Sequence, residues 1–149
     1  MTVTNTGCYY GVGIHMSDAK VELIDVALKG SGDRALHIPD SSETTLVATR
    51  CEFVNSEYGA SVFGRLTSAT FKNCVFNDNS REGIFVGSKA TIHLHGEATT
   101  IHSNKQCGIF AYSSSKVLIH LPSHHNTFYN NKGDDRYTAD GGTITNVED

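Results

Sequence analysis

A short apolar pattern recurs along this chain at an almost constant interval. Tetrapeptides that run small, apolar, variable and then apolar or small start at Gly11, Ala35, Gly59, Gly83 and Gly108. Each interval also contains two further runs of alternating residues, such as AKVEL and CEFVN. A period of about 24 residues is typical of a solenoid, in which each coil buries its apolar side against the next coil.

The runs predict short strands rather than helices. They are three to five residues long, alternate with period two and are separated by Gly, Ser, Asn and Asp. An arrangement of three such strands per coil resembles the right-handed parallel β-helix family of pectin lyase-like proteins, and the resemblance covers Gly11 to Asn131. It implies an all-β fold of about five coils. Because the family includes polysaccharide lyases, hydrolases, epimerases, phage tailspikes and non-catalytic binding domains, it implies no single function.

The stack predicts a single domain over residues 1–149, with repeat coils at 11–131 and a polar capping tail at 132–149. GGTITNVED, within that tail, is expected to add one strand. Equivalent residues of neighbouring coils should stand above one another, which predicts two inward columns. The first column is Val12, Leu36, Ala60, Ile84 and Ile109, and the second is Ile14, Ile38, Val62, Val86 and Ala111.

Asparagine precedes three of the tetrapeptides by four positions, at Asn55, Asn79 and Asn104. An asparagine at a turn can bond to the equivalent turn above and below it and tolerates a left-handed backbone. We therefore predict an asparagine ladder. The loss of one turn hydrogen bond predicts that Asn79→Ala costs about 1 kcal/mol.

Composition excludes some classes of partner. The formal net charge is -4, and the Lys and Arg residues are scattered rather than clustered, which argues against a nucleic-acid or anionic-membrane surface. No apolar run approaches the roughly 18 residues of a membrane span, and the first residues lack the pattern of a signal peptide. We expect the chain to be soluble, and its sequence does not assign it to a cellular compartment. The spacing of Cys8, Cys51, Cys74 and Cys107 favours free thiols, with disulfides as the alternative.

Catalytic signals are sparse. Asp134 and Asp135, with Arg136 beside them, are faintly similar to the paired aspartates of polygalacturonases. The NTD, GHG and RIK segments of that family and the RxPxxR segment of pectate lyases are absent. We interpret the pair as a solvated turn and keep catalysis by these three residues as the alternative.

Histidines suggest a metal site as a further alternative. His93 and His95 share a strand face by alternation, and His120 follows His95 by one period, so those two side chains are expected to stack. His102, His124 and His125 lie nearby in the sequence. A zinc site needs three or four ligands that converge on one point. Histidines that are simply exposed on a sheet surface would account for the same sequence pattern. We expect no cofactor.

The outward positions of the first strand carry an aromatic cluster. If the inward columns are correct, His37, Phe63, Phe85, Phe110 and Tyr112 all point outward from one sheet. Exposed aromatic clusters bind sugars or protein partners, or are covered by a tail or a second copy of the chain. We expect a non-catalytic domain that presents this face to a carbohydrate or a protein, and a homo-oligomer. The alternatives are a polysaccharide-active lyase, hydrolase or epimerase, and a structural segment of a larger repeat protein.

Overall fold

The computed structural model describes residues 1–3, 11–96, 98–121 and 128–148. Within these ranges the chain forms three parallel six-stranded sheets and no helix. Each inner strand of a sheet pairs with its equivalents one coil before and one coil after, and the first and last strands pair on one side, so all three sheets extend along the stack. The predicted all-β solenoid of about five coils is confirmed.

The strands are numbered β1 to β18 along the chain, and every third strand belongs to the same sheet. The first sheet contains β1 (Thr2–Val3), β4 (Ala27–Lys29), β7 (Glu52–Val54), β10 (Val75–Asn77), β13 (Thr100–His102) and β16 (Phe128–Tyr129). The second sheet contains β2 (Ile14–His15), β5 (Arg34–Ile38), β8 (Tyr58–Phe63), β11 (Ile84–Gly87), β14 (Ile109–Ala111) and β17 (Arg136–Thr138). The third sheet contains β3 (Lys20–Ile24), β6 (Thr45–Thr49), β9 (Ser68–Lys72), β12 (Thr91–His95), β15 (Lys116–Leu121) and β18 (Thr143–Glu148).

Alternating apolar residues place the core inside the coils. In β12, Ile92 and Leu94 are buried, while Thr91, His93 and His95 are partly exposed on the outer face. Three phenylalanines fill the middle of the stack: the rings of Phe53 and Phe76 stack at 4.8 Å, and the ring of Phe71 meets both edge-on. Because packed aromatic rings bury large apolar areas, this cluster joins the first and third sheets across the interior.

The inward columns of the second sheet are confirmed from the second coil onward. Leu36, Ala60, Ile84 and Ile109 lie in register and are fully buried. The first member of each column is wrong. Ile14 rather than Val12 pairs with Leu36, so Ile14 belongs to the first column and not to the second. The first tetrapeptide of the stack is therefore GIHM from Gly13 rather than GVGI from Gly11.

The corner between the second and third sheets explains this shift. In the first coil this corner runs from Ile14 to Lys20, and it is shorter than the equivalent segment from Leu36 to Thr45 in the second coil. A fixed period therefore misplaces the first tetrapeptide by two positions. The fixed period places Gly13 beside His37 and His15 beside Pro39 on the outer face. In the structure it is His15 that lies beside His37.

The asparagine ladder is confirmed at two of its three predicted positions. The Nδ2 of Asn79 donates to the Oδ1 of Asn104 at 2.9 Å, and the Nδ2 of Asn104 donates to the Oδ1 of Asn131 at 2.9 Å. Asn55 is wrong as a member: it is exposed, and the buried Ser56 takes the ladder position by donating its backbone N–H to the Oδ1 of Asn79.

The left-handed backbone lies one residue before the ladder. Asn55, Asp78, Ser103 and Asn130 have φ between 53° and 57°, and each directly follows a strand of the first sheet. Short polar residues are the ones that adopt this conformation at least cost. The ladder asparagines Asn79 and Asn104 do not have positive φ. The turn is therefore divided between a residue that bends the chain and a residue that bonds to the next coil.

The C-terminal segment continues the stack. β17 pairs with β14 and β18 pairs with β15, so the strand expected in GGTITNVED is confirmed as Thr143–Glu148. The role of residues 132–149 as a cap stays a prediction.

Cys51, Cys74 and Cys107 are free thiols, and Cys8 lies outside the described residues. Burial raises the pKa of the Cys74 thiol to about 12. In the part of the chain that the structure describes, no helix has the length and apolarity needed to cross a bilayer.

Candidate binding face and histidine cluster

The outer face of the second sheet carries an unbroken series of rings, which we call the aromatic face. Its members are His15, His37, Phe63, Phe85, Phe110, Tyr112 and Tyr137. All five residues predicted from the sequence for a binding face belong to it, and each is partly exposed. Tyr137 was missed because the last coil is longer than the fixed period. His15 was expected to point outward but was assigned to the wrong column, because the first coil is shorter than the fixed period.

Ring contacts connect the aromatic face from coil to coil. His15 meets His37 at 5.3 Å between ring centroids, and His37 meets Phe63 at 6.1 Å. Phe63 meets Phe85 at 5.5 Å, and Phe85 meets Phe110 at 5.4 Å. The series ends where Phe110 meets Tyr137 at 5.0 Å. β17 thus extends this face by one ring, and within the described ranges the C-terminal segment does not fold back over it.

A glycine makes room for the central rings. Gly87 lies in register with Phe63, and a Cβ atom at Gly87 would lie 2.5 Å from Cε1 of Tyr112. The Tyr112 ring therefore rests on the bare backbone of Gly87. In this position it stacks on Phe85 at 5.2 Å with an interplanar angle of 15°.

His37 is held neutral at the start of the aromatic face. Burial, together with the nearby charges of Arg34 and His15, lowers the pKa of His37 from 6.5 to about 4. Its Nδ1 lies 3.3 Å from the hydroxyl oxygen of Ser61. At neutral pH this imidazole is an uncharged ring with hydrogen-bonding nitrogens.

A polar groove borders the aromatic face at the corner between the second and third sheets. Its volume is about 530 Å³, and its lining includes the acidic Asp18, Asp40 and Glu43 and the basic Arg65 and Lys89. The longer corner of the second coil supplies two of the three acidic residues. Arg65 lies two positions after Phe63, so charged and hydroxyl groups lie directly beyond the rings. No repeat signal marks this groove in the sequence, because it is built from corners of unequal length.

The predicted catalytic candidates are exposed: Asp134 and Asp135 immediately precede β17, and Arg136 is its first residue. The Oδ1 of Asp135 accepts a hydrogen bond of 3.0 Å from the Nδ2 of Asn131, which places this carboxylate at the end of the asparagine ladder. Arg136 donates to the Oδ1 of Asn146 at 3.0 Å and lies over the ring of Phe128. Asp135 and Arg136 thus each have a structural contact, and a catalytic role for Asp134, Asp135 and Arg136 remains an untested alternative.

A second set of charged residues, at the corner before the second sheet, was missed in the sequence. The ring of Tyr58 lies between Arg34 and Arg81, whose guanidinium carbons are 5.3 and 5.0 Å from its centroid. Glu82 is only 4% exposed, and burial raises the pKa of its carboxyl group. A raised carboxyl pKa is a property of general acids, but glycoside cleavage needs a second carboxylate on the other side of the bond. No sequence pattern indicated Glu82, because its burial results from the packing of neighbouring coils.

The three histidines predicted as a metal site do come together on the third sheet. One ring nitrogen from each of His93, His95 and His120 lies within 4.8 Å of the other two. The rings of His95 and His120 stack at 3.9 Å, which confirms the stacking expected from their spacing. The Nδ1 of His93 lies 2.9 Å from the Nε2 of His120. His102 is on the first sheet, stacked on Tyr129, and His124 and His125 lie outside the described residues.

These features define a parallel β-solenoid with three sheets, an aromatic outer face and a histidine cluster on a different sheet. Residues 7–148 match the family described as the right handed beta helix region, and the chain belongs to that family. No curated protein and no solved structure matches the chain. Because this fold serves many functions, the function has to be argued from the surface.

Proposed function

We propose that this chain is a non-catalytic binding domain that recognises a polysaccharide with the aromatic face and the groove beside it. The observation that carries the proposal is the continuous series of rings from His15 to Tyr137, bordered by a groove of hydroxyl and charged groups. Aromatic rings supply large apolar contacts at little entropic cost, and polar groups fix the orientation of a ligand. A sugar polymer offers both apolar ring faces and hydroxyl groups.

A protein partner is the second candidate ligand. Phe85 stacks on Tyr58 and Tyr112, and the contacting rings form an apolar ridge. Such ridges are typical of protein interfaces, in which a few aromatic residues dominate the binding energy. The same face would serve either ligand if the chain is a segment of a longer repeat protein.

Polysaccharide binding is tested by titrating the chain with plant, algal and microbial polymers in calorimetry. We expect Phe110→Ala and Tyr112→Ala each to weaken binding by about 30-fold, the equivalent of about 2 kcal/mol for a central aromatic contact. The matched control is Tyr129→Ala, since Tyr129 is a tyrosine of the first sheet that is 41% exposed. Equal loss in the control, or no binding to any polymer, would contradict the polysaccharide proposal and leave the protein ligand as the next candidate.

The enzymatic alternative has its own measurement. The same polymers are incubated with the chain and assayed for new reducing ends and for unsaturated sugars. We expect neither product. Turnover that disappears in Asp135→Ala would replace the binding proposal with a lyase or hydrolase.

A further inference from the structure

The outer face of the third sheet presents a preformed set of three imidazoles that the aromatic face does not use. His93 and His95 project from β12 because they alternate with the buried Ile92 and Leu94. His120 projects from β15 because it follows the buried Ile119. β12 lies between β9 and β15, and β15 lies between β12 and β18, so ladder hydrogen bonds fix both strands from two sides. The imidazoles are therefore presented by rigid elements.

The spacing of the nitrogens suits a transition metal. A zinc ion holds histidine nitrogens at about 2.0–2.1 Å, which places two ligands of a tetrahedral site about 3.3 Å apart. In the structure the Nδ1 of His93 is 2.9 Å from the Nε2 of His120, and no ligand nitrogen of the set is more than 4.8 Å from another. These distances bracket the value that a zinc site requires.

The strands on either side determine which side chains lie beside the three histidines. The neighbouring strands present Thr70 and Lys72 on one side and Val147 on the other. Lys72 is the positive charge in register with His95; it is exposed, so water screens its effect on a bound cation.

We propose that His93, His95 and His120 form a binding site for a divalent transition-metal ion, with zinc as the first candidate. Imidazole ligands select zinc, copper and nickel over calcium and magnesium, which prefer oxygen. Three protein ligands leave a fourth position for water or for a group of a bound partner. The ion would also bridge two coils, because two ligands come from β12 and one comes from β15.

The proposal is tested with Zn²⁺ as the probe, using the full chain free of any histidine tag. Calorimetry and equilibrium dialysis should show one strong site per chain. His93→Ala, His95→Ala and His120→Ala should each weaken binding by roughly 100-fold, since loss of an outer partner of a metal ligand alone costs about 10- to 100-fold. His102→Ala is the matched control, and it should leave the affinity unchanged because His102 is on another sheet.

A second measurement on the parent chain keeps the proposal falsifiable if a variant fails to fold. In NMR spectra of the imidazole nitrogens, Zn²⁺ should shift the resonances of His93, His95 and His120 and leave those of His102 in place. Replacement of Zn²⁺ by Co²⁺ should give the visible absorption of a four-coordinate ion. Absence of binding, binding that survives all three alanine variants, or shifts confined to other histidines would overturn the proposal.

Discussion

The asparagine ladder makes Asn79 a sensitive position in the stack. Its side chain is fully buried and forms three hydrogen bonds. The Nδ2 donates to the carbonyl of Phe53 at 3.2 Å and to the Oδ1 of Asn104 at 2.9 Å, and the Oδ1 accepts from the N–H of Ser56 at 3.1 Å. Asn79→Ala removes all three bonds in a place that water does not reach.

The magnitude follows from the partners that are left behind. The Oδ1 of Asn104 keeps the backbone N–H of Asn79 as a donor at 3.2 Å. The carbonyl of Phe53 and the N–H of Ser56 lose their side-chain partner, and a buried polar group without a partner costs about 1 to 3 kcal/mol. We therefore expect Asn79→Ala to lower the free energy of unfolding by about 4 kcal/mol. This is well above the value of about 1 kcal/mol expected from the sequence, which treated Asn79 as a turn residue with one bond.

The assay is urea unfolding followed by circular dichroism, with Asn55→Ala as the matched control. Asn55 is also an asparagine of this corner, but it is exposed and has a φ of 53°. Its replacement by alanine should cost only about 1 kcal/mol, the penalty for a left-handed alanine. If the two variants differ by less than about 1 kcal/mol at equal denaturant slopes, the ladder does not stabilise the stack as described.

Four further outcomes are expected. Ile84→Ala, in the middle of a buried column, should cost about 2 to 5 kcal/mol in the same urea assay, and a negligible change would contradict the column. Gly87→Ala should displace the ring of Tyr112 and cost about 1 to 3 kcal/mol, with altered tyrosine fluorescence; unchanged fluorescence would contradict the close packing. The pKa of His37 is lowered to about 4, so the folded chain binds fewer protons than the unfolded chain below about pH 6.5. Stability should therefore fall from pH 6.5 towards pH 4, and a profile that is not flattened by His37→Gln would exclude this histidine as the cause. Light scattering should show self-association that Phe110→Ser weakens, whereas a parent chain that is monomeric at every concentration would contradict association through the aromatic face.

The sequence predicts the strands well because the period of the repeat and the alternation within each strand have one physical cause. Parallel strands in register place like side chains above one another, so the buried columns appear as recurring apolar letters. The stacking of His95 and His120 was predictable for the same reason, since these two positions are one coil apart in the stack.

The incorrect sequence predictions concern corners whose length or residue type differs from one coil to the next. Two overlapping tetrapeptides, from Gly11 and from Gly13, fit the same pattern, and only the short corner after β2 decides between them. Ser56 was missed as a ladder residue because a serine and an asparagine can both bond to the next coil. The approach of His93 to His120 was also beyond prediction, because it depends on how the side chains turn rather than on register.

The unequal corners have a consequence for the surfaces between them. The coils differ in length, as the uneven spacing of the paired positions Ile14, Leu36, Ala60, Ile84, Ile109 and Arg136 shows, yet their strands remain in register in all three sheets. The position of a side chain on a sheet is therefore fixed by its coil and its column, and equivalent side chains of successive coils are about 4.8 Å apart. Moving a ring to the equivalent position of the next coil would displace it by this one spacing and leave the other rings in place. The set of coils at which a ligand requires rings would then report the repeat length of that ligand.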